Sequence, residues 1–329
     1  MLKTRVISSN MKDKISIAIA TYNGARFLRE QLDSLYAQTR LPDEVVVCDD
    51  ASTDGTIDIL EEYHNRYGLK YFVNETGLGC NQNFIKAFSL CEGDFICICD
   101  QDDIWLPTKI ETVYRAIRSL DNSKPQCVSS LRYDIDVDGN IIGEVNAPLS
   151  EGWQATFLTY SRSQGCTMIM NRPLTDFVVS LVDQHPDLMQ QMYYDELVAY
   201  TAVVKGEKHN LSDKLMYYRH HDANVVGKYH GSLSFADKVR NVPTFYGFMI
   251  DERMVPICIT YYLFKEQIND PALLAFLNDI AQTMEQPTVW KKLRRLLRSG
   301  FLSRKQRMEI AVKSTISIML KKIYHCPTL

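Results

Sequence analysis

No uncharged apolar run in the 329-residue chain approaches the roughly 20 residues needed to cross a bilayer, so no membrane-spanning helix is expected. The opening stretch MLKTRVISSNMKDK lacks an apolar core, so no secretory signal is expected either. No CxxC pair occurs among the nine cysteines, which argues against a zinc knuckle or a thioredoxin-like couple. Scattered cysteines of this kind fit a reducing, cytoplasmic setting. Internal repeats and low-complexity linkers are also missing. The formal net charge of −3 gives no general case for nucleic acid.

That near-neutral balance hides an asymmetry. From Pro287 onward there are 11 Lys/Arg and one acidic residue, Glu309, which leaves 26 basic and 39 acidic residues ahead of it. The basic end therefore needs its own explanation. Within residues 289–325, Leu293, Leu296, Leu297 and Phe301 fall at helical spacing, with Lys291, Lys292, Arg294, Arg295 and Arg298 between them. Such a helix can lie on an anionic membrane surface. It can equally pack its apolar stripe on the rest of the chain or on a second copy in a homodimer.

Strand and helix patterns alternate over the first ~110 residues. Apolar runs at 15–20, 44–48, 70–73 and 94–99 read as buried strands, and helical spacing follows at 26–39, 51–67 and 77–91. Uninterrupted apolar strands predict a parallel sheet covered on both faces. Ligands of such sheets bind beyond the carboxyl ends of the strands. Thr21, Tyr22, Asn23, Asp49, Asp50, Asp100 and Asp102 all fall there. A helix is expected from Pro107 to about Leu120, two strands around a turn over 127–145, and strands at 165–170 and 214–221. From about Tyr229 the pattern is helical. The expected division is a catalytic domain over 1–228 and a helical C-terminal region over 229–329.

The densest chemistry is in DFICICDQDDIWLP (94–107), where a buried strand runs into Asp100, Asp102 and Asp103. In an extended segment positions 100 and 102 project to one side. Two oxygen ligands on one side suit Mg²⁺ or Mn²⁺. A solvated loop with Asp103 capping the next helix would look similar. The pair Asp49–Asp50 closes a neighbouring strand and can hold a ribose or base, or cap the following helix. DIDVDGN (134–140) begins like a calcium loop, but its twelfth position is Val145, so a hairpin turn is expected. Asp195 and Glu196 open an apolar helix, where a carboxylate is favourable on electrostatic grounds alone and can also serve as a general base. His220 and His221 are open to a metal, a diphosphate or a surface role.

Taken together and in order, ATYNG (20–24), VCDDASTDGT (47–56), GLGCNQNF (77–84), DQDDIWLP (100–107), GCTMIM (165–170), YYDELVA (193–199) and YRHHDANVVG (218–227) resemble the family 2 glycosyltransferases of GT-A fold. The nearest branch is similar to the bacterial rhamnosyltransferase-like enzymes of cell-wall, capsule and O-antigen assembly. The resemblance covers about residues 15–227. It implies an α/β, Rossmann-like, mostly parallel mixed sheet with helices on both faces. It also implies an inverting, metal-dependent hexosyl or rhamnosyl transfer from a UDP-sugar or dTDP-rhamnose to a glycan or lipid-diphosphate-linked acceptor.

Carried over residue by residue, Tyr22 and Asp50 lie where the family holds the nucleobase, with Thr21 and Asn23 beside Tyr22 in the donor site. Asp100 and Asp102 form the DxD element that holds Mn²⁺ or Mg²⁺, Asp102 more directly. Asp195 is the base. Arg219 and His221 lie near the diphosphate and metal. The chain departs from the family where Tyr194 replaces the usual His, and Glu196 becomes a rival base. A sugar-1-phosphate nucleotidyltransferase is the alternative enzyme, disfavoured because ATYNGARF lacks a Gly-rich basic loop. A non-catalytic sugar-nucleotide-binding protein is a third reading. The implied setting is cytoplasmic, with the tail touching the inner face of the bacterial cytoplasmic membrane.

Overall fold

The computed structural model describes residues 13–144, 153–158, 164–222, 254–286 and 291. The expected basic tail helix over 289–325 and the expected boundary at 228/229 lie outside them, apart from Lys291.

Strands β1 (Ile15–Thr21), β2 (Glu44–Asp49), β3 (Lys70–Val73) and β4 (Phe95–Cys99) are linked by α1 (Leu28–Tyr36), α2 (Thr56–Tyr67) and α3 (Cys80–Leu90). All pairings among these strands are parallel, in the order β3-β2-β1-β4. The expected alternation of strand and helix is thus observed. The chain moves outward from β1 to β3, then returns to the other side of β1. That reversal opens a crevice at the carboxyl ends of β1, β2 and β4.

Past β4 the sheet becomes mixed. β5 (Ile104–Trp105) and α4 (Lys109–Arg118) are followed by β6 (Gln126–Ile135) and β7 (Ile141–Glu144), then α5 (Trp153–Leu158) and β8 (Met168–Asn171). After these come α6 (Arg172–Gln184), α7 (Leu188–Gln191), α8 (Tyr194–Lys205) and β9 (Glu207–Arg219). The sheet order is β3-β2-β1-β4-β8-β6-β9-β5, with β7 on β6. β8 is antiparallel to both β4 and β6, while β9 is parallel to β6.

The DGN segment is the expected hairpin. Asp136 Oδ1 accepts the amides of Asp138 and Asn140 at 3.0 and 2.9 Å, and Gly139 takes a left-handed φ of 88°. The segment expected as a strand from Gly165 instead opens with a 3₁₀ turn, Gly165–Thr167. α6 and α7 carried no sequence expectation.

Side chains alternate across the pleat. Ile15, Ile17, Ile19, Val45, Val47, Cys97 and Cys99 pack on α1, α2 and α4. Ala18, Val46, Cys48, Ile96, Ile98 and Met170 pack on α3, α6 and α8. Each fully buried Ile, Leu or Phe contributes about 1.5–3 kcal/mol of burial. The described C-terminal helices join this second layer: Phe264, from the helix over 254–264, and Leu273, Phe276 and Leu277 of Pro271–Met284 belong to the same core. Phe276 lies 5.0 Å from Trp153 and 5.9 Å from Phe157, ring centre to centre. Among the described residues no helix is long and apolar enough to cross a membrane.

Candidate active site

The loops after β1 and β2 are stapled together. Thr21 is buried and donates its hydroxyl to Asp49 at 2.7 Å, and Asp49 also accepts the Ser52 amide at 2.8 Å and hydroxyl at 2.6 Å. Asn23 accepts the Thr53 amide at 2.8 Å and donates its own to Ser52 Oγ at 2.8 Å. Asn23 and Ala51 hold left-handed φ values of 48° and 60°. Asn tolerates that region, whereas Ala there costs on the order of 1–2 kcal/mol. Such strain persists where surrounding contacts over-determine the backbone, as at binding sites.

Tyr22 is 59% exposed at this edge. Gln101 fixes its backbone from both sides, accepting the Tyr22 amide at 2.9 Å and donating to its carbonyl at 3.1 Å. A side chain at position 24 would collide with Gln101, which explains Gly24.

Of the two carboxylates ending β2, Asp49 closes the turn and Asp50 faces the Gly77–Gly79 loop. Asp50 accepts the amides of Leu78 at 2.6 Å and Gly79 at 2.8 Å, and Asn74 Nδ2 at 2.8 Å. A carboxylate has about four acceptor positions, so one more donor can be met. Gly79 has φ 82°, which lets the loop curl back onto Asp50 before α3 begins.

The three carboxylates after β4 part company. Asp102 Oδ2 lies 2.8 Å from His221 Nε2. Asp103 is wholly buried and accepts the Arg219 amide at 3.2 Å, so it does not cap α4. At Asp100, burial, followed by the charge on Asp102, pushes the carboxyl up to about 7. Burial, with the charges of Asp102 and Asp100, also holds Asp103 well above the usual range. The cation expected near this cluster includes one the sequence reading overlooked. Lys109 is 1% exposed, with Nζ 2.5 Å from the Cys166 carbonyl and 3.9 Å from the Trp105 ring centre. A lysine at the first position of a helix opposes the helix dipole, and that was the available signal.

Arg219 is turned inward and its guanidinium is 3% exposed. Nε donates to the Asp102 carbonyl at 3.0 Å, Nη1 to the Val137 carbonyl at 3.1 Å, and Nη2 to Glu30 at 2.5 Å. It thereby ties α1, the hairpin turn and the 100–103 loop together. His221, just past the end of β9, also rests 5.0 Å from the Phe27 ring.

Asp195 stands at the start of α8. Its Oδ2 accepts the Gly165 amide at 3.2 Å and its Oδ1 the Glu196 amide at 2.9 Å. Burial pushes its carboxyl up to about 6 against those bonds. Glu196, the rival, folds back to accept the Tyr193 amide at 3.1 Å and completes a capping box. Tyr194, in place of the family's His, is buried and stacks on Phe84 with ring centres 4.1 Å apart.

Cys80 marks the meeting point. The residue presents surface, but burial of its thiol pushes it up to about 12, and Asp100, Asp195, Asp102 and Asp50 all add to the rise. The four expected carboxylates therefore lie within electrostatic reach of one thiol.

A divalent cation fits this group of carboxylates. Asp100 and Asp102 offer hard oxygen donors, and a dication would offset the burial of Asp100 and the charge of Asp102 beside it. Asp100, Asp103 and Cys166 also bring ligand atoms within 4.8 Å of one another. In that trio burial raises the Cys166 thiol, which hydrogen-bonds to Asp100, and the softer sulfur suits Mg²⁺ or Mn²⁺ less than the carboxylates do.

Known proteins resemble this chain in sequence and in fold. Residues 16–174 match the family described as Glycosyl transferase family 2. The dTDP-rhamnosyl transferase RfbG of Shigella flexneri is 28% identical over 235 residues, covering 68% of this chain and 78% of that protein. The chondroitin synthase of Escherichia coli is 30% identical over 142 residues, which span 43% of this chain and only 20% of that enzyme. Among solved structures, residues 1–349 of TarS from S. aureus in complex with UDP superpose with a TM-score of 0.56 at 19% identity, over 93% of this chain and 88% of that one. A mannosyltransferase from Pyrobaculum calidifontis in complex with GDP-Man and Mn²⁺ gives 0.53 at 15% identity, over 97% and 89%. Residues 16–174 therefore form a glycosyl transferase family 2 domain, and the chain has the fold of GT-A glycosyltransferases.

Proposed function

We propose that this chain is a metal-dependent, inverting glycosyltransferase. It moves rhamnose or a hexose from a pyrimidine nucleotide-diphospho-sugar, UDP- or dTDP-linked, to a hydroxyl of a glycan or lipid-linked saccharide. The observation that carries this reading is the placement of the carboxylates: Asp50 and the Asp100–Asp102 pair follow β2 and β4 on either side of β1, and Asp195 accepts the Gly165 amide just ahead of β8, the partner of β4.

Exposed Tyr22 offers a face for the base, and Asp50 keeps an acceptor position for a base N–H or ribose hydroxyl. Thr21 and Asn23 hold the loops that place them. Asp102 and Asp100 would hold Mn²⁺ or Mg²⁺, with His221 beside Asp102. When bound, such a cation supplies charge neutralisation for a diphosphate leaving group. Arg219 supports the Asp102 loop through its backbone.

Asp195 takes the proton of the acceptor hydroxyl as that oxygen bonds to the anomeric carbon and the sugar–diphosphate C–O bond breaks. A carboxyl near 6 is ionised at neutral pH yet more basic than a free aspartate, which suits that task. Glu196 is occupied as a helix cap, which supports Asp195 as the base. One displacement inverts the anomeric centre, so one base suffices where retaining glycosidases need two carboxylates.

The dTDP-rhamnosyl relative and the UDP-bound neighbour favour a pyrimidine donor. Incubation with dTDP-rhamnose and UDP-hexoses, with and without Mn²⁺, tests the reading. Transfer with inversion supports it, and retention of configuration overturns the single displacement.

A further inference from the structure

The first turn of α3 is bonded at both ends to the site. At one end, Leu78 and Gly79 donate their amides to Asp50. Two residues on, the Asn81 side chain reaches the segment that carries Asp195. Its Oδ1 accepts the Tyr194 amide at 3.2 Å, and its Nδ2 donates to the carbonyls of Met189 at 3.0 Å and Met192 at 3.4 Å. Tyr194 is the first residue of α8, so its amide has no partner within its own helix. Asn81 satisfies that amide from another helix. One turn further along α3, the Phe84 ring stacks on Tyr194. The residue before Asp195 is thus gripped through its backbone and its ring by one helix.

The local cap of α8 does not replace this grip. Glu196 bonds to the Tyr193 amide, and Asp195 itself accepts Glu196 and Gly165. None of these fixes the 189–192 turn against α3. Asn81 does, and it sits in the sequence between the loop on Asp50 and the ring on Tyr194.

We propose that Asn81 is a positioning residue for the base: it fixes the α7–α8 turn so that Asp195 meets the acceptor hydroxyl at the distance set by the donor end of the same helix turn. The proposal rests on the assignment of Asp195 as base. A displacement of about 1 Å at a reacting group can cost roughly 10²-fold in rate, whereas donor binding at Asp50 and Asp102 does not depend on the turn.

The test pairs kinetics with a measurement that needs no activity. Asn81→Ala should lower turnover by roughly 10²-fold and leave the affinity for UDP or dTDP with Mn²⁺ within about twofold, because an interaction that serves only the chemical step shows in kcat and not in binding. Hydrogen exchange of the peptide over 189–196 should accelerate. Asn81→Asp, the same size, keeps the acceptor for Tyr194 but turns a carboxylate oxygen toward two carbonyls, so its turnover should fall at least as far. Gln82→Ala removes a bond to the Pro186 carbonyl on the same surface and should leave turnover unchanged. Unchanged exchange at 189–196 overturns the grip whatever the activity. Faster exchange with undiminished turnover, or an equal loss of nucleotide affinity, overturns the positioning role. Absence of transfer by the wild-type chain with every donor would count against the transferase reading and leave the exchange result to decide the grip.

Discussion

His221 Nε2 lies 2.8 Å from Asp102 Oδ2, across 119 positions of sequence. The contact joins the end of the last strand to the loop after β4. Two residues before His221, Arg219 bonds the Asp102 carbonyl with its side chain and the Asp103 carboxylate with its amide. The 100–103 loop is therefore held from more than 100 positions later in the chain, and its geometry depends on β9 being in place.

Asp102→Asn should nearly abolish transfer and leave the fold intact, because it changes one oxygen and removes no core volume. Donor affinity in Mn²⁺ should fall with it. Transfer should also stop in EDTA and return when Mn²⁺ or Mg²⁺ is restored. Full activity in chelator would remove Asp102 and Asp100 as cation ligands.

Asp195→Asn should keep donor binding and lower turnover by about 10²–10⁴-fold, the range of a general base. Only the ionised carboxylate accepts a proton, so the wild-type rate should fall as pH drops through about 6. The residual rate of Asp195→Asn should lack that limb. Glu196→Gln keeps an oxygen for the Tyr193 amide and should cost far less. A larger loss for Glu196→Gln than for Asp195→Asn would reverse the assignment.

The difference between what was and was not legible in sequence follows from range. The parallel half was legible because apolar runs such as ISIAIA and EVVVC are buried on both faces, and the turns between them are short. α6 was missed although Asn171 caps it and Pro173 sits in its first turn; the cap signal follows directly on a strand without a polar break. Asp100, Asp102 and Asp195 were visible as residue types at element ends. Their supports were not. Lys109, Glu30, Gln101 and Asn81 act through partners 57 to 189 positions away, or 79 and 113, and no local pattern encodes such pairings. The direction in which Arg219 points was likewise invisible, since a buried hub and an exposed phosphate ligand read alike in YYRHH.

The basic tail gives a prediction from sequence alone. Each Lys or Arg near an anionic surface is worth about 1 kcal/mol, and residues 289–325 carry 11 of them. The intact protein should co-sediment with anionic liposomes at low salt and less at high salt, since screening shortens the interaction. A chain ending near Thr288 should stay in the supernatant. Equal behaviour of the two would assign the tail to packing or to a second copy.

Lys109 gives the last prediction. It is enclosed beneath the 100–103 loop, where burial lowers its pKa and Cys166, Cys99, Cys97 and Asp103 oppose that fall. Lys109→Met matches its length and removes its charge. Asp103, already raised well above its ordinary value mainly by burial, would lose its nearby cation. Wherever Asp103 is ionised, the variant leaves that buried charge without its nearby cation, so urea unfolding at pH 8 should show Lys109→Met as the less stable chain. The sign with pH follows from the carboxylate. A folded-state pKa raised above the unfolded value means the folded chain binds the proton more tightly, so acidification favours the fold. The deficit of Lys109→Met should therefore shrink as pH is lowered, as Asp103 becomes neutral. Asp103→Asn in the Lys109→Met background should recover part of the loss at pH 8, because it removes the stranded charge while keeping an acceptor for the Arg219 amide. A deficit that stays constant with pH and ignores Asp103→Asn would show that Lys109 contributes through its bond to the Cys166 carbonyl and its packing on Trp105, and not as a counter-charge.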